Sequence, residues 1–364
     1  MQPVKMVDLF AGPGGLDVAA KKLNIPTVGI EWDASACETR RAAGLYTVEG
    51  DVRIYKPSDY PDADVLAGGP PCQTFTVAGT GAGRRALDEV LGFVNRMVDR
   101  EDREQIEKDL ANLSDERTGL VLEPLRWALE AIDDERTEPY KAIVLEQVPA
   151  VLPVWEAYAK ALEREGYGVD FGLLRTEEYG VPQTRKRAVL IARLGAKSVD
   201  LPSPTHRPYR KGVSRQEGDP NLEPWVTMED ALERRPPFSV ISNYGSGGNP
   251  KLRGRRAHNE PSATVTGKIF RNRVVSASGH DLDRFNPSEA GRLQTFPHDY
   301  PWTGRDLGQQ IGNAVPPRLA MHVLVAAFGW KDAATKDMLK KLETWGIVAE
   351  PCALGEDSQS PLPL

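Results

Sequence analysis

The sequence predicts an α/β protein, a doubly wound sheet carrying a second, smaller, loop-rich domain. Three observations carry that prediction. Short apolar runs alternate with amphipathic stretches at the start of the chain, the texture turns to Pro, Gly, Ser and Arg near residue 195, and an apolar helical stretch follows at 316–330.

In the first part, VKMVDLF, TVGIEW, YTVEGDV and DADVLAGG read as strands, with LDVAAKKL and ASACETRRA as helices between them. Each strand ends at a Gly or an acidic residue. In doubly wound sheets ligands bind outside these carboxyl ends. Further strands are expected at 140–148 and 185–194, and helices at 119–132 and 153–165, which makes residues 1–194 one domain. Within it, 86–117 carries apolar residues at Leu87, Val90, Leu91, Val94, Met97 and Val98, then at Ile106, Leu110 and Leu113. This helical spacing suggests two inserted helices broken near Asp99–Arg103.

Residues 195–312 read as a small, loop-rich domain and hinge, and 313–330 as a helix returning to the first domain. Residues 331–364 form a C-terminal extension ending, beyond Glu350, in what reads as a disordered tail. No internal repeat is present, so solenoids and propellers drop out.

The chain has 364 residues and a formal net charge of −6, against a protein that coats nucleic acid by bulk attraction. The charge is uneven. Residues 195–282 hold 14 Lys+Arg against 9 Asp+Glu, a surplus that suits a segment meeting a polyanion. The three cysteines, Cys37, Cys72 and Cys352, are far apart and without His at ligand spacing, so neither a disulfide framework nor a metal site is expected. No apolar run approaches the ~20 residues that span a bilayer, and MQPVKMVDLF lacks the zones of a signal peptide. A cytoplasmic protein with no membrane partner is expected.

The candidate site begins at DLFAGPGGLDVAA, where a strand runs into Gly12, Gly14 and Gly15 before a helix. Such a turn brings backbone N–H groups close to a ligand, although a glycine turn alone is as often a tight connection with none. Glu31 at the next strand end can accept from both ribose hydroxyls, and Asp51 at the third can accept from an adenine amino group. Phe10 and Trp32 are candidates to sandwich the base, against the blander reading of core aromatics. Acids at successive strand ends suit a nucleoside cofactor. GGPPCQTFTVAG then presents Cys72 after two prolines at the carboxyl end of the sheet. A lone cysteine is usually a small buried hydrophobe, whereas a thiolate here can act as nucleophile.

DLFAGPGG, IEWD, GDV, GGPPCQTFT, LEQVP, QTRKRAVLIA, RLQTFPHDY and QIGNAVPP occur in this order. On these eight motifs, most of residues 4–330 resembles the DNA cytosine-5 methyltransferase family. The resemblance implies a Rossmann-like S-adenosylmethionine-dependent methyltransferase domain with a smaller loop-rich target-recognition domain. It implies methyl transfer to C5 of a flipped cytosine in duplex DNA, with Cys72 adding to C6, Glu146 at N3, Arg187 at O2, and Arg185 binding phosphate or supporting the site. Cofactor contacts carried over are Phe10, Gly12, Gly14, Leu16, Glu31, Trp32, Asp51, Val52, Pro70, Asn313 and Ala314. Candidate DNA contacts are Gln73, Thr76, Arg185, Arg253, Arg255, Arg256, Thr264, Arg271 and Arg273. The chain is expected to act as a monomer, with a cognate restriction endonuclease as candidate partner.

Three departures stand out: Glu-Gln-Val where the family has Glu-Asn-Val, Phe-Thr where Phe-Ser is commoner, and the stretch 86–117, expected here to be a lid or clamp beside the duplex. The rival readings are an RNA cytosine-5 methyltransferase and a catalytically silent DNA-binding protein of the same fold. The basic segment argues for duplex DNA, and Cys72, Glu146 and Arg187 argue for catalysis. A nicotinamide dehydrogenase has no use for Pro-Pro-Cys. An adenine-N6 enzyme would carry an Asp/Asn-Pro-Pro-aromatic motif, which is absent.

Overall fold

The computed structural model describes residues 5–71, 81–113, 117–245, 253–330 and 337–346. Cys72, Gln73, Thr76 and the expected tail lie outside them.

The strands expected at the start of the chain form: β1 (Met6–Leu9), β2 (Thr27–Glu31), β3 (Tyr46–Glu49) and β4 (Val65–Gly68) are parallel neighbours, with β5 (Ala142–Gln147) beside β4. β1, β4 and β5 are buried throughout, which is why they read as continuous apolar runs rather than alternating ones. The sheet is not wholly parallel. β7 (Lys186–Leu194) pairs antiparallel with both β5 and β6 (Tyr167–Arg175), giving the order β3-β2-β1-β4-β5-β7-β6. β6 was not expected from sequence. Its two glycines mask the strand pattern, and Gly168 is needed because a Cβ there would lie 2.7 Å from the Ala196 carbonyl.

Successive side chains point to opposite faces, so Val7 and Leu9 join one core and Met6 another. The first core lies under α3 (Gly81–Val98), α6 (Glu123–Asp133) and α7 (Leu152–Arg164), with Trp127 and Trp155 fully buried in it. The second lies under α1 (Gly15–Lys22) and α11 (Pro317–Phe328). The apolar stretch 307–328 has a membrane helix's length and hydropathy, but it is α10 (Leu307–Asn313) and α11, broken at Pro316 and mostly buried. The remaining helices of this body are α2 (Ala34–Ala42), α4 (Arg103–Ala111) and the single-turn α5 (Arg117–Leu120).

The helices of the 86–117 stretch form and break where the charges predict, with Asp102 capping α4 by accepting from Gln105 N at 2.9 Å. The expectation of a lid does not fit their position. Val90, Phe93, Val94 and Ile106 are buried in the first core, and among the described residues none from α3 or α4 lines the main cleft.

The segment expected to be loop-rich contains a four-stranded antiparallel sheet. β8 (Phe238–Gly245), β9 (Arg253–Ala257), β10 (Arg273–Ser276) and β11 (Asp281–Leu282) run in the order β11-β10-β8-β9. These strands are short, and RGRRA in β9 carries no apolar alternation, so sequence periodicity could not show them. The sheet packs over a core of its own, including Met228 of the single-turn α8 (Met228–Ala231), Phe238, Val265, Val274 and Phe285. Leu293 of α9 (Pro287–Leu293) and Ile311 of α10 complete that core.

Candidate active site

The strand order reverses between β1 and β4, and the loops after these two strands flank a cleft of about 1250 Å³ at their carboxyl ends. A site for one small ligand occupies about 300–1,000 Å³. The cleft has room for a second reactant.

At one end, Gly12 has φ +54, a left-handed conformation that glycine adopts without strain, and its N–H points to Glu31. Glu31 accepts from Gly12 N and from Asp33 N, both at 2.7 Å, so one carboxylate ties the glycine loop to the end of β2. Burial raises its pKa, and the two backbone donors moderate the rise. Phe10, Leu16, Ile30, Trp32 and Val52 supply apolar walls, with Trp32 69% exposed on the rim. Asn313, the last residue of α10, and Ala314 after it line the same cleft. Asp51 faces it while held by Arg53, whose Nη2 lies 2.6 Å from Oδ2. Partial burial would raise the Asp51 pKa, but the Arg53 side chain and amide outweigh that and lower it.

Two expected cofactor contacts lie off the cleft. Gly14, at φ +100, packs where a Cβ would lie 2.4 Å from Leu45 Cδ1, so it shapes the turn before α1. Pro70 is buried, and its neighbour Pro71 faces the cleft instead.

At the other end stand Gly69, Pro71, Glu146, Gln147, Arg185 and Arg187. Glu146 and Arg187 come from adjacent antiparallel strands and form an ion pair at 2.7 Å, both nearly buried. A Cβ on Gly69 would lie 3.8 Å from Glu146 Oε2, so the acid sits against the turn that leads to Pro70, Pro71 and residue 72. Gln147 donates to the Pro70 carbonyl and accepts from Val148 N.

Arg185, expected to bind phosphate or to support the site, is tied to backbone carbonyls. It is 3% exposed, and its guanidinium donates to the carbonyls of Val265 at 2.7 Å and Gly312 at 2.8 Å. Burial, followed by the nearby Arg187 charge, pushes its pKa down to about 9. Gln183 continues this hub. It accepts from Val265 N at 3.0 Å and contacts Gln294, whose amide donates to the Ile311 carbonyl at 2.6 Å. The motifs QTRKR, RLQTF and QIGNAV therefore meet in one buried polar network joining the small sheet to the large one.

The candidate DNA contacts divide. Arg271 is exposed and lines the cleft, and Arg255 is exposed on β9, neither with a side-chain partner among the described residues. Arg256 lies 4.4 Å from the Tyr209 ring and donates to Thr184, while Arg273 pairs with Asp281 at 2.9 Å. Thr264 donates to the Thr184 carbonyl at 2.8 Å, and Arg253 is half-buried at the start of β9.

Sequence reasoning passed over Asp8. It is 1% exposed, lines the cleft floor, and neither of its oxygens has a hydrogen-bond partner among the described residues. An aspartate at the third position of an otherwise apolar strand was the available signal.

The profile of C-5 cytosine-specific DNA methylases matches residues 4–93 and 115–328. The chain belongs to that family. Similar proteins include the Type II methyltransferase M.AquIA of Picosynechococcus sp., 29% identical over 65% of this chain and 91% of the relative. The Type II methyltransferase M.NgoFVII of Neisseria gonorrhoeae is 27% identical over 86% of this chain and 83% of the relative. The fold is shared with the S. pombe Dnmt2 methyltransferase, at a TM-score of 0.60 and 18% identity over 90% of this chain and 98% of that one. It is also shared with the Entamoeba histolytica methyltransferase EhMeth, at 0.58 and 14% identity over 90% of this chain and 99% of that one.

Membership makes this chain an enzyme of cytosine-5 methylation in DNA, with a fold and reaction that imply S-adenosylmethionine. The residues present fit that group. The Glu31 acceptors, the apolar walls and the unpartnered buried Asp8 carboxyl suit a nucleoside joined to a polar tail.

Proposed function

We propose that this chain methylates C5 of a flipped cytosine in a specific duplex DNA sequence, with Cys72 as nucleophile. The observation that carries the reading is the pairing of Glu146 with Arg187 beside the Gly69–Pro71 turn, at the opposite end of one cleft from the Glu31 acceptor.

When bound, S-adenosylmethionine supplies an electrophilic methyl group. Phe10, Glu31, Trp32, Asp51 and Val52 hold its adenosine half. Cys72 thiolate adds to C6 of the cytosine, and the ring electrons released toward C5 and N3 make C5 nucleophilic. Glu146 holds N3 and supplies the proton it takes up, while Arg187 holds O2 and offsets the developing negative charge. Once C5 carries the methyl group, loss of its proton to solvent expels Cys72 as thiolate, N3 returns its proton to Glu146, and the aromatic ring is restored. Arg255 and Arg271 offer exposed cations to the DNA, and Gln73 and Thr76 are the remaining proposed DNA contacts. The enzyme acts as a cytoplasmic monomer, and its relatives' Type II naming supports a restriction endonuclease of matching specificity as partner.

The test is incubation with labelled S-adenosylmethionine and either DNA or transfer RNA, followed by bisulfite mapping. Methylated cytosines at one DNA sequence are expected, and label confined to RNA would sink the reading. DNA containing 5-fluorocytosine should trap a covalent complex with wild type and none with Cys72→Ser.

A further inference from the structure

The family profile stops at residue 93 and resumes at 115, so α4 and the end of α3 belong to this chain rather than to the common fold. Yet α4 reaches the wall of the cofactor cleft in three steps. Arg103, the first residue of α4, pairs with one oxygen of Glu130 on α6. The other Glu130 oxygen accepts from Arg126 at 2.8 Å. Arg126 in turn holds Glu123 at 2.8 Å and donates from Nη2 to the carbonyls of Val52 and Tyr55, each at 3.0 Å.

Those two carbonyls bracket the short turn after Asp51, and Asp51, Val52 and Arg53 all line the cleft. One guanidinium therefore fixes both ends of the cofactor site's edge. The chain of contacts becomes more buried inward: the Arg103 side chain is 54% exposed, Glu130 23% and Arg126 10%. An exposed pair alone contributes little, but here Arg103 orients a carboxylate whose second oxygen orients a buried arginine. A cavity of about 600 Å³ between α4 and α6 runs to the same place, sharing Arg53 and Leu120 with the cleft.

We infer that the inserted helices are a positioning device for the adenosine side of the cofactor site. Arg103 acts through Glu130 on Arg126, which sets the Asp51–Arg53 edge. This rests on reading the cleft as the S-adenosylmethionine site. Without the relay, the turn samples other arrangements and a ligand must pay to order it, which weakens binding without changing chemistry once bound.

The test measures S-adenosylhomocysteine affinity by calorimetry and amide hydrogen exchange across 51–56, on the full chain, for Arg103→Ala, Glu130→Gln and Arg126→Lys. Lys108→Ala is the control, since Lys108 sits on the same helix and its side chain pairs, among the described residues, only with Glu104, at 3.9 Å. Affinity is expected to fall about 10-fold in Arg126→Lys and about 3-fold in Arg103→Ala, with KM for S-adenosylmethionine rising and saturated turnover retained. Exchange at 51–56 should quicken in both, and Lys108→Ala should match wild type. Arg103→Ala guards against misfolding of the buried variant, and wild-type affinity in it would overturn the proposal. If wild type binds no S-adenosylhomocysteine, the cofactor reading falls by itself. Exchange in Arg103→Ala then decides: quickened exchange keeps the relay, and unchanged exchange removes it.

Discussion

Gln147, the last residue of β5, donates its side-chain N–H to the carbonyl of Pro70, tying the strand that bears the acid to the turn that leads to Cys72. The family's asparagine at this position is one methylene shorter, so this chain keeps an amide at the joint through a longer arm. Gln147→Ala leaves the Pro70 carbonyl buried without a donor, a loss of about 1–3 kcal/mol. Since about 1.4 kcal/mol is a tenfold rate change, turnover should fall roughly 10- to 100-fold if the turn loses its catalytic placement. S-adenosylhomocysteine affinity should stay within about twofold. Weakened cofactor binding at normal turnover would show that Gln147 serves the other end of the cleft.

The Glu146–Arg187 pair separates charge from shape. Burial lowers the Arg187 pKa, and the neighbouring carboxylate only partly offsets this, so each charge depends on the other. Arg187→Leu strands a buried carboxylate and should cost about 3–5 kcal/mol in urea unfolding, with activity lost. Glu146→Gln keeps the volume and removes the proton donor. Its turnover should fall at least about 100-fold, within the range general acid catalysis contributes. If Glu146→Gln turns over normally, the acid is not the group acting on N3.

The parallel strands were legible because burial on both faces makes β1, β4 and β5 continuous apolar runs. The strand-end residues Glu31 and Glu146 were legible because motif order placed them. β6 was hidden by its glycines and β9 by its arginines, since periodicity reports burial rather than backbone pairing. Arg185 reads in QTRKR as a residue that binds phosphate or supports the site, and only the fold shows its Nη1 and Nη2 donating to the Val265 and Gly312 carbonyls. The burial of α3 and α4, expected to be a lid or clamp, was hidden because helical spacing gives the apolar face but not what it packs against.

Asp8 gives a pH signature. Burial, followed by repulsion from Asp17, raises its pKa well above the usual 3.8 despite the attraction of Arg40. The folded chain therefore keeps this proton to higher pH than the unfolded chain. The stability contributed by protonated Asp8 is full below 3.8 and is lost as pH rises to the raised folded value. Asparagine does not ionise. In ligand-free protein, the Tm of Asp8→Asn minus that of wild type should be smallest below pH 3.8, grow with pH, and level off above the folded value. A difference independent of pH from calorimetric scans would show that Asp8 ionises as readily folded as unfolded.

Residues 337–346 lie beyond the family match and act as a clasp across both parts of the fold. Trp345 donates from its indole to the Ala43 carbonyl at 3.0 Å and meets the Tyr300 ring at 5.4 Å. Its backbone N–H donates to Asp299 at 2.6 Å, and Glu343 pairs with Arg292 of α9 at 3.0 Å. Tyr300 donates to the Pro13 carbonyl at 2.5 Å, so the clasp bears on the glycine loop through one aromatic ring. Trp345→Ala removes a large buried side chain and should cost about 3–5 kcal/mol in urea unfolding. Tyr300→Phe keeps the ring and loses only the bond to Pro13, so its stability should fall by about 1 kcal/mol while S-adenosylhomocysteine affinity weakens. If Trp345→Ala loses stability but Tyr300→Phe binds as wild type does, the clasp stabilises the fold without reaching the cofactor loop.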